Sequence, residues 1–167
     1  GEGIEARLKT ANLPGGIKTE FLLENAPMGS AGGLLLAKPK VNDTFILSYA
    51  DVLYNEMDLD DMVRFHKANN AVCTLALANV REPKNYGVAK MRGSQIIDFS
   101  EKPSSTSSNL VNAGVAICEP EIFEFYEQGI KSFERDLLTR VSEKNKLFGY
   151  VYSGPWFELG SQTQVDA

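Results

Sequence analysis

The apolar run at residues 45–53 constrains the fold more than any other stretch of the chain. It contains one carboxylate, Asp51, near its end. A short apolar run without alternation predicts a strand that is buried on both faces, as in a parallel sheet flanked by helices. Asp51 then lies at the carboxyl end of the strand, where open α/β sheets bind ligands. It is a candidate metal ligand, with a helix-capping or turn aspartate as the alternative.

The composition is that of an ordinary globular domain. The chain has 167 residues, of which 43% are hydrophobic and 23% are charged, and no apolar run is long enough to cross a bilayer. This length suits one domain over residues 1–167. The formal net charge is -5 and no stripe of Lys and Arg stands out. We therefore expect neither nucleic acid nor a membrane as a partner.

The cysteines and the first residues bear on the compartment. Cys73 and Cys118 lie within apolar, strand-like runs, without the spacing of metal ligands. Buried free thiols of this kind suit a reducing cytoplasm. Residues 1–5 lack the basic and apolar regions of a signal peptide. The expected localisation is cytoplasmic.

Strand and helix patterns alternate in the first half of the chain. Residues 17–23 begin with alternating apolar and polar residues and end in a continuous apolar run, which predicts a strand. Residues 58–67 have an amphipathic period and an acidic first turn, which predict a helix. An apolar run at 71–77 predicts another buried strand. Together with the Asp51 strand, this order predicts a parallel sheet with right-handed crossovers.

A loop of small residues follows the first predicted strand. Residues 24–33 read Glu-Asn-Ala-Pro-Met-Gly-Ser-Ala-Gly-Gly, and a helical segment follows at 34–37. Small residues at a helix entrance let a ligand approach backbone N–H groups, and a helix N-terminus favours anionic or polar groups. A tight strand-to-helix connection also needs glycine, so the loop alone leaves both interpretations open.

The pattern changes in the second half. Apolar segments at 86–91 and 95–99 flank a glycine-containing turn, which predicts a hairpin. A strand at 110–118 is interrupted by Asn112 and Gly114, as at a bulge or a close ligand approach, although a packing glycine gives the same pattern. Two helices and a closing strand are predicted at 120–126, 132–141 and 147–152.

Two polar features are interpreted as structural. His66 is the only histidine, and no Ser, Cys or metal ligand stands at a telling spacing from it. The sequence Ser132-Phe133-Glu134-Arg135 resembles a capping sequence that leads into a helix. Neither feature is expected to carry chemistry.

Five motif regions occur in order along the chain. They are the loop at 24–33, Asp51, Tyr86-Gly87-Val88 with Glu101-Lys102-Pro103, Asn112-Ala113-Gly114, and Trp156-Phe157-Glu158-Leu159-Gly160. In this order they resemble the nucleotidyltransferases that join a sugar 1-phosphate to a nucleoside triphosphate, such as mannose-1-phosphate guanylyltransferases and glucose-1-phosphate thymidylyltransferases. The resemblance runs nearly end to end. It implies the nucleotide-diphospho-sugar transferase fold, an α/β architecture with a Rossmann-like, mixed and mostly parallel sheet flanked by helices.

The resemblance also implies a role for each matched residue. It places Glu24 and Gly29 at the nucleobase. It implies that Asp51 and Glu158 bind Mg²⁺, and that Asp51 and Lys102 are catalytic. The residues that it places at the sugar phosphate are Tyr86, Gly87, Glu101, Lys102, Asn112 and Gly114.

The implied chemistry accounts for these residue types. A sugar phosphate oxygen attacks the α-phosphorus of the nucleotide and expels pyrophosphate, and both reactants are anions. Mg²⁺ and a lysine offset their repulsion, and Mg²⁺ needs only a few carboxylates beside phosphates and water. Lys102 would hold the sugar phosphate as a point charge, with an exposed turn lysine as the alternative. Glu101 and Asn112 would hydrogen-bond sugar hydroxyls. Gly87 would leave room for the ring.

The chain departs from the family pattern in three places. The opening strand and its glycine-rich phosphate loop have no counterpart, Ala50 replaces the usual glycine, and Glu158 replaces the usual aspartate. We therefore expect an N-terminally truncated domain that lacks the first βα unit. Removal of an inner strand would expose apolar edges. A homo-oligomer, formed by dimerisation or strand exchange, is expected to compensate.

Two other functions compete with nucleotidyl transfer. A catalytically inactive domain of the same fold would serve as a binding or assembly module, and the missing phosphate loop favours that interpretation. A metal-dependent glycosyltransferase also places an acid after a buried strand, but it typically shows two acids separated by one residue. The sequence Asp51-Val52-Leu53 lacks that pair.

Overall fold

The computed structural model describes residues 2–10 and 16–159, so that Gly160 of the last motif lies outside the described residues. The described helices are α1 (Glu2–Thr10), α2 (Gly29–Ala37), α3 (Leu59–Ala68) and α4 (Thr139–Glu143), with a π-helical segment (Phe133–Leu138) before α4 and 3₁₀ helices at Lys38–Lys40, Pro83–Asn85 and Pro120–Phe125. The described strands are β1 (Phe45–Ser48), β2 (Val52–Tyr54), β3 (Cys73–Asn79), β4 (Gly87–Arg92), β5 (Gln95–Glu101), β6 (Leu110–Cys118), β7 (Leu147–Val151) and β8 (Trp156–Glu158).

Six strands form one mixed sheet in the order β1-β6-β3-β7-β5-β4, while β2 and β8 form a separate two-stranded ribbon. Strands β1, β3 and β7 run in one direction, because β3 pairs with β7 in parallel and both β1 and β3 lie antiparallel to β6. The β4–β5 hairpin pairs with β7 through β5 and with β6 through β4. This confirms the hairpin that the sequence predicts.

The sheet is mixed and flanked by helices, as expected, but the expectation of mostly parallel pairing is wrong. Among the described pairings of the large sheet, only that of β3 with β7 is parallel, because β6 enters between β1 and β3 in the opposite direction. The expectation that the strand before Asp51 is buried on both faces is wrong as well. Among the described strands β1 has β6 as its one neighbour, and Ile46 is 46% exposed.

Two hydrophobic clusters cover opposite faces of the sheet. The side chains of β3 alternate between them, with Leu75 in one cluster and Ala76 in the other, as the two-residue period of a strand requires. Leu34 of α2 and Val141 of α4 belong to the first cluster. Met62 of α3 belongs to the second. Each face is therefore covered by helices whose apolar side chains meet the strands.

The prediction of a strand at residues 17–23 is wrong. These residues form no strand, and Ile17, Leu22 and Leu23 are exposed. An apolar run becomes a strand only where a neighbouring strand pairs with its N–H and C=O groups, and no described strand does so here.

No helix in the described part of the chain is both long enough and apolar enough to span a membrane.

The two cysteines face each other across β3 and β6. Cys73 pairs with Cys118 in the register of these strands, and their sulfur atoms are 3.7 Å apart. Both side chains are buried and unbridged. The prediction of buried free thiols is confirmed, while the cytoplasmic location stays a prediction.

His66 lies in the interior and has the structural role that the sequence suggests. Its Nδ1 is 2.8 Å from Thr74 Oγ1, and its Nε2 is 3.1 Å from Glu119 Oε1. Since a carboxylate can only accept, Nε2 donates to Glu119. Lys67 also contacts Glu119 Oε1, at 3.0 Å. The imidazole thereby ties α3 to β3 and to the end of β6.

The stability of the fold should fall below about pH 6.5 because of this histidine. Burial lowers the pKa of His66 below its ordinary value of 6.5, although the Glu119 carboxylate acts in the opposite direction. The unfolded chain then binds the proton more readily than the folded protein does. As the pH decreases below 6.5, the free energy of unfolding therefore decreases, by at most about 1.4 kcal/mol per pH unit. Urea unfolding at pH 7.5, 6.5 and 5.5 should show this slope in the wild type and a smaller one in His66→Gln. Equal slopes in the two proteins would contradict the assignment.

Candidate functional site

A cavity of about 180 Å³ collects most of the residues that the motifs single out. It opens between the β2–β8 ribbon, the start of β4, the end of β5 and the middle of β6. The residues that line it are Tyr49, Asp51, Val52, Asn85, Tyr86, Gly87, Glu101, Lys102, Asn112, Gly114, Glu134, Trp156 and Glu158. The structure therefore brings together eight of the ten residues implied by the resemblance.

Asp51 and Glu158 are neighbours because β2 pairs with β8. Val52 lies opposite Glu158 in this antiparallel ribbon, and the Leu159 N–H donates to the Asp51 carbonyl at 2.6 Å. Asp51 itself lies in the turn between β1 and β2 and is exposed. Both residues line the cavity. Backbone pairing thus places two carboxylates from distant parts of the sequence at one site.

The bulge in β6 makes room for the turn that carries Asp51. The register of β6 against β3 shifts between Leu75 and Leu77. Nearby, Gly114 has φ 77°, and a Cβ atom there would lie 2.9 Å from Val52 Cγ1. The Tyr49 N–H donates to the Gly114 carbonyl at 2.8 Å. Gly114 is therefore glycine for both its backbone conformation and the close approach of β2.

Asn112 precedes this glycine and fixes the bulge. Its Oδ1 accepts a hydrogen bond from the Gly114 N–H at 3.0 Å, and its side chain also interacts with the Tyr49 hydroxyl. The side chain is half-buried and lines the cavity. Asn112 therefore has a local structural role in addition to the sugar contact expected of it.

The side chains of Glu101 and Phe99 occupy the space above Gly87. A Cβ atom at Gly87 would overlap the Phe99 ring, at 2.5 Å from Cζ, and would lie 2.9 Å from Glu101 Oε2. Gly87 and Glu101 pair across the hairpin. The glycine therefore lets the Glu101 carboxylate lie close over β4, at the inner wall of the cavity, in addition to any room that it leaves for a sugar ring.

Lys102 stands at the mouth of the cavity. Its backbone has φ 48°, and its N–H donates to the Tyr86 carbonyl at 3.0 Å. Its Nζ is 4.0 Å from Glu101 Oε1, and the lysine side chain is 66% exposed. The ammonium group therefore lines the cavity from the solvent side, where an entering anion would meet it.

Tyr86 and Trp156 form an aromatic wall beside Glu158. The two rings meet edge to face with centroids 5.6 Å apart, and Trp156 Nε1 donates to the Ala113 carbonyl at 2.9 Å. Burial raises the pKa of Tyr86, as do the charge of Glu158 and its hydrogen bond with the phenol. The Tyr86 hydroxyl thus orients the Glu158 carboxylate.

Glu24 and Gly29 do not line the cavity in this structure. The Glu24 carboxylate accepts a hydrogen bond from the Met28 N–H at 3.2 Å, at the start of α2. Gly29 has φ 78°, and a Cβ atom there would collide with the Lys131 carbonyl oxygen. The loop at 24–33 therefore packs against the segment before the π-helix, to one side of the cavity.

Tyr49 and Glu134 are among the cavity residues that the sequence analysis missed. The Tyr49 hydroxyl donates to Glu134 Oε1. Glu134 belongs to the sequence interpreted as a helix cap, and Ser132 does cap, because its side chain accepts from the Arg135 N–H at 3.0 Å. Neither Tyr49 nor Glu134 belongs to a motif. The one signal in the sequence is that Tyr49, a polar aromatic residue, lies two positions before Asp51.

Negative charge dominates the cavity. Asp51, Glu101, Glu134 and Glu158 line it, and Lys102 is the one cation among the described lining residues. Burial raises the pKa of Glu101, and the Glu134 charge adds to the effect, while Lys102 acts against it. Such a site suits a divalent cation and hydroxyl-bearing ligands better than a bare anion.

Comparison with known proteins identifies the family. The sequence model of the nucleotidyl transferase family matches residues 2–164. The chain belongs to the nucleotidyl transferase family. This confirms the resemblance on which the expectations about the site depend.

Relatives within the nucleotidyl transferase family carry names that agree with the motifs. The chain is 32% identical over 149 residues to the mannose-1-phosphate guanylyltransferase catalytic subunit beta of Dictyostelium discoideum, which covers 87% of this chain and 41% of that protein. It is 30% identical over 162 residues to the protein of the same name from Xenopus tropicalis, covering 94% of this chain and 45% of that protein. The chain thus spans less than half the length of these relatives.

The fold has a match among solved structures. The crystal structure of HddC from Yersinia pseudotuberculosis superposes with a TM-score of 0.77 at 21% sequence identity, covering 99% of this chain and 71% of that one. At this identity the likeness concerns the fold alone. It supports the α/β architecture, with a mixed sheet, that the described strands form.

A glycine substitution tests the geometry of the site. Gly114→Ala places a Cβ atom against Val52 and leaves alanine with φ 77°, so the free energy of unfolding should fall by about 2–4 kcal/mol. The control is Gly93→Ala, where φ is 60° and no atom lies within 4 Å of the new Cβ. It should lose only about 1 kcal/mol. Guanidinium unfolding of the two variants measures the difference, and equal losses would show that the contact with Val52 is unimportant.

Proposed function

We propose that the chain transfers a nucleotidyl group from a nucleoside triphosphate to a sugar 1-phosphate, releasing pyrophosphate. The observation that carries the proposal is the single cavity that gathers Asp51, Lys102, Asn112 and Glu158. These residues come from four separate motifs of a family whose named relatives act on mannose 1-phosphate. The chain spans less than half of those relatives, so the whole reaction is a proposal for this chain.

Asp51 and Glu158 suit Mg²⁺. Within the described residues no group of three or more Asp, Glu, His or Cys side chains is placed to hold a metal. Mg²⁺ binds typically through one or two carboxylates and takes its remaining ligands from water and substrate phosphates, so two carboxylates that line the same cavity fit it. When bound, the ion would supply positive charge to the phosphates. The Tyr86 hydroxyl would keep Glu158 directed toward it.

The side of the cavity near β4 and β5 suits the sugar phosphate. Lys102 at the mouth would hold the phosphate through charge-assisted hydrogen bonds. Glu101 and Asn112, half-buried on the inner wall, would accept hydrogen bonds from sugar hydroxyls. Held in this way, the phosphate oxygen would be directed at the α-phosphorus, and positioning of two reactants is the main contribution a protein makes to this chemistry.

The nucleotide would approach from the α2 side. Glu24 and Gly29 lie at the start of α2 and outside the cavity, so the proposed base contacts are separate from the sugar contacts. The backbone N–H groups at a helix start suit polar groups of a base.

The homo-oligomer expected from the sequence stays a prediction. Consistent with it, β1 has no second neighbour among the described strands, and Ile46 is exposed.

A non-catalytic binding module is the second candidate. The observation in its favour is that Lys102 is the one cation among the described residues of the cavity, whereas a triphosphate carries several negative charges. A module of this kind would bind a sugar phosphate or a nucleotide without turning it over. Pyrophosphate release separates the two candidates directly.

The transferase proposal predicts pyrophosphate release that depends on Asp51. The assay combines each common nucleoside triphosphate with mannose, glucose or heptose 1-phosphate in the presence of Mg²⁺. Asp51→Asn should lower kcat by about a hundredfold or more, because an amide replaces the charged metal ligand. Asp98→Asn, which removes an exposed carboxylate of β5, is the matched control and should keep wild-type turnover. If no pair of substrates gave pyrophosphate release, the non-catalytic binding module would be the remaining candidate.

Lys102 should act on the sugar phosphate more than on the nucleotide. Lys102→Gln keeps the length of the side chain and removes its charge, so the KM for the sugar 1-phosphate should rise by about 10- to 100-fold. The KM for the nucleoside triphosphate should change much less. Lys84→Gln, in the nearby 3₁₀ helix, is the control for the loss of one positive charge. A larger effect on the nucleotide would assign Lys102 to the other substrate.

A further inference from the structure

Three hydrogen bonds converge on the carboxylate of Glu134. Its Oε1 accepts from the Tyr49 hydroxyl. Its Oε2 accepts from Ser30 Oγ and from Ser132 Oγ, each at 3.0 Å. Ser132 belongs to the same helix start, whereas Ser30 and Tyr49 come from two other parts of the chain. One carboxylate therefore joins three segments.

The two distant partners belong to opposite sides of the proposed site. Ser30 lies in the loop at 24–33, and its Oγ also accepts from the Phe133 N–H at 2.9 Å. The Ala31 N–H donates to the Lys131 carbonyl at 3.1 Å, so the loop is held at several points. Tyr49 lies in the cavity, two residues before Asp51, and its backbone bonds the bulge at Gly114.

We propose that Glu134 is a positioning residue that couples the nucleotide loop to the sugar-phosphate cavity, by holding Ser30 and Tyr49 on one carboxylate. The inference rests on the proposed function. Its physical content is a hydrogen-bonded chain that runs from Ser30 through Glu134 to Tyr49. The Tyr49 backbone N–H continues the chain to the Gly114 carbonyl, in the bulge that Asn112 fixes. A change at either end of this chain shifts the other end.

Burial explains why the coupling is specific. Tyr49 and Glu134 are both half-buried, and the Tyr49 hydroxyl donates to Glu134 Oε1. Since a carboxylate can only accept, the phenol is the donor in this hydrogen bond. A buried hydrogen bond to a charged acceptor is stronger than one exposed to water, so the loop and the cavity hold a defined relative position.

Hydrogen exchange on the free protein tests the coupling without any substrate. Tyr49→Phe removes one hydroxyl on the cavity side, and it should increase amide exchange of residues 29–33 by about three- to tenfold. Ser30→Ala should do the same at residues 48–52. Tyr150→Phe is the matched control, because it removes a half-buried phenol that donates to another carboxylate, Asp61, away from the cavity. It should leave both segments unchanged. Unchanged exchange in both variants overturns the inference, whether or not the protein turns over.

Steady-state kinetics distinguishes a coupling role from a purely structural one. Ser30→Ala should raise the KM for the sugar 1-phosphate, and Tyr49→Phe should raise the KM for the nucleoside triphosphate, each by about three- to tenfold. Adding Glu134→Gln to either variant should bring little further change, because the same link is already broken. Effects confined to the nearer substrate, or full additivity, overturn the coupling. Absence of turnover in the wild type contradicts the transferase alone and leaves the exchange result to decide.

Discussion

The pairing of β2 with β8 is the interaction on which the candidate site depends. It joins the middle of the chain to the end of the described residues through backbone hydrogen bonds, including that from the Leu159 N–H to the Asp51 carbonyl. Because side chains alternate along a strand, a slip of one residue would turn Glu158 to the opposite face. Trp156 helps to hold the register, since its indole donates to the Ala113 carbonyl in β6. The two carboxylates are therefore placed by the backbone, with aromatic packing in support.

The charges of the cavity explain why its parts depend on one another. Four carboxylates within one cavity of about 180 Å³ repel each other. Burial raises the pKa of Glu101, and repulsion by the Glu134 charge raises it further. Hydrogen bonds offset part of this repulsion. Tyr86 donates to Glu158, and Tyr49, Ser30 and Ser132 donate to Glu134. The remaining negative charge is compatible with a divalent cation beside Asp51 and Glu158, since a cation would lower the energy of the whole cluster.

The sequence predicts the motifs of the site better than the arrangement of the strands. Local signals sufficed for the β4–β5 hairpin, for α3 and for β3, which hydrophobic periodicity indicates directly. Pairing direction could not be predicted, because the entry of β6 between β1 and β3 is a long-range event that leaves no local trace. Residues 17–23 show the same limit, since an apolar run does not reveal whether another strand pairs with it. Glu134 was missed for a related reason: its neighbours in sequence form a helix cap, and its partners Ser30 and Tyr49 are distant in sequence.

The backbone at Lys102 adds an argument for the importance of its side chain. A φ of 48° favours glycine or asparagine, and for a residue with a long side chain it costs roughly 1–2 kcal/mol. The surroundings hold it there, through the hydrogen bond from its N–H to the Tyr86 carbonyl and the pairing of Gly87 with Glu101. Glycine would relieve the strain but would remove the one cation among the described residues that line the cavity. Strain of this kind is typical of functional sites, and here it keeps a positive charge at the entrance to an otherwise acidic pocket.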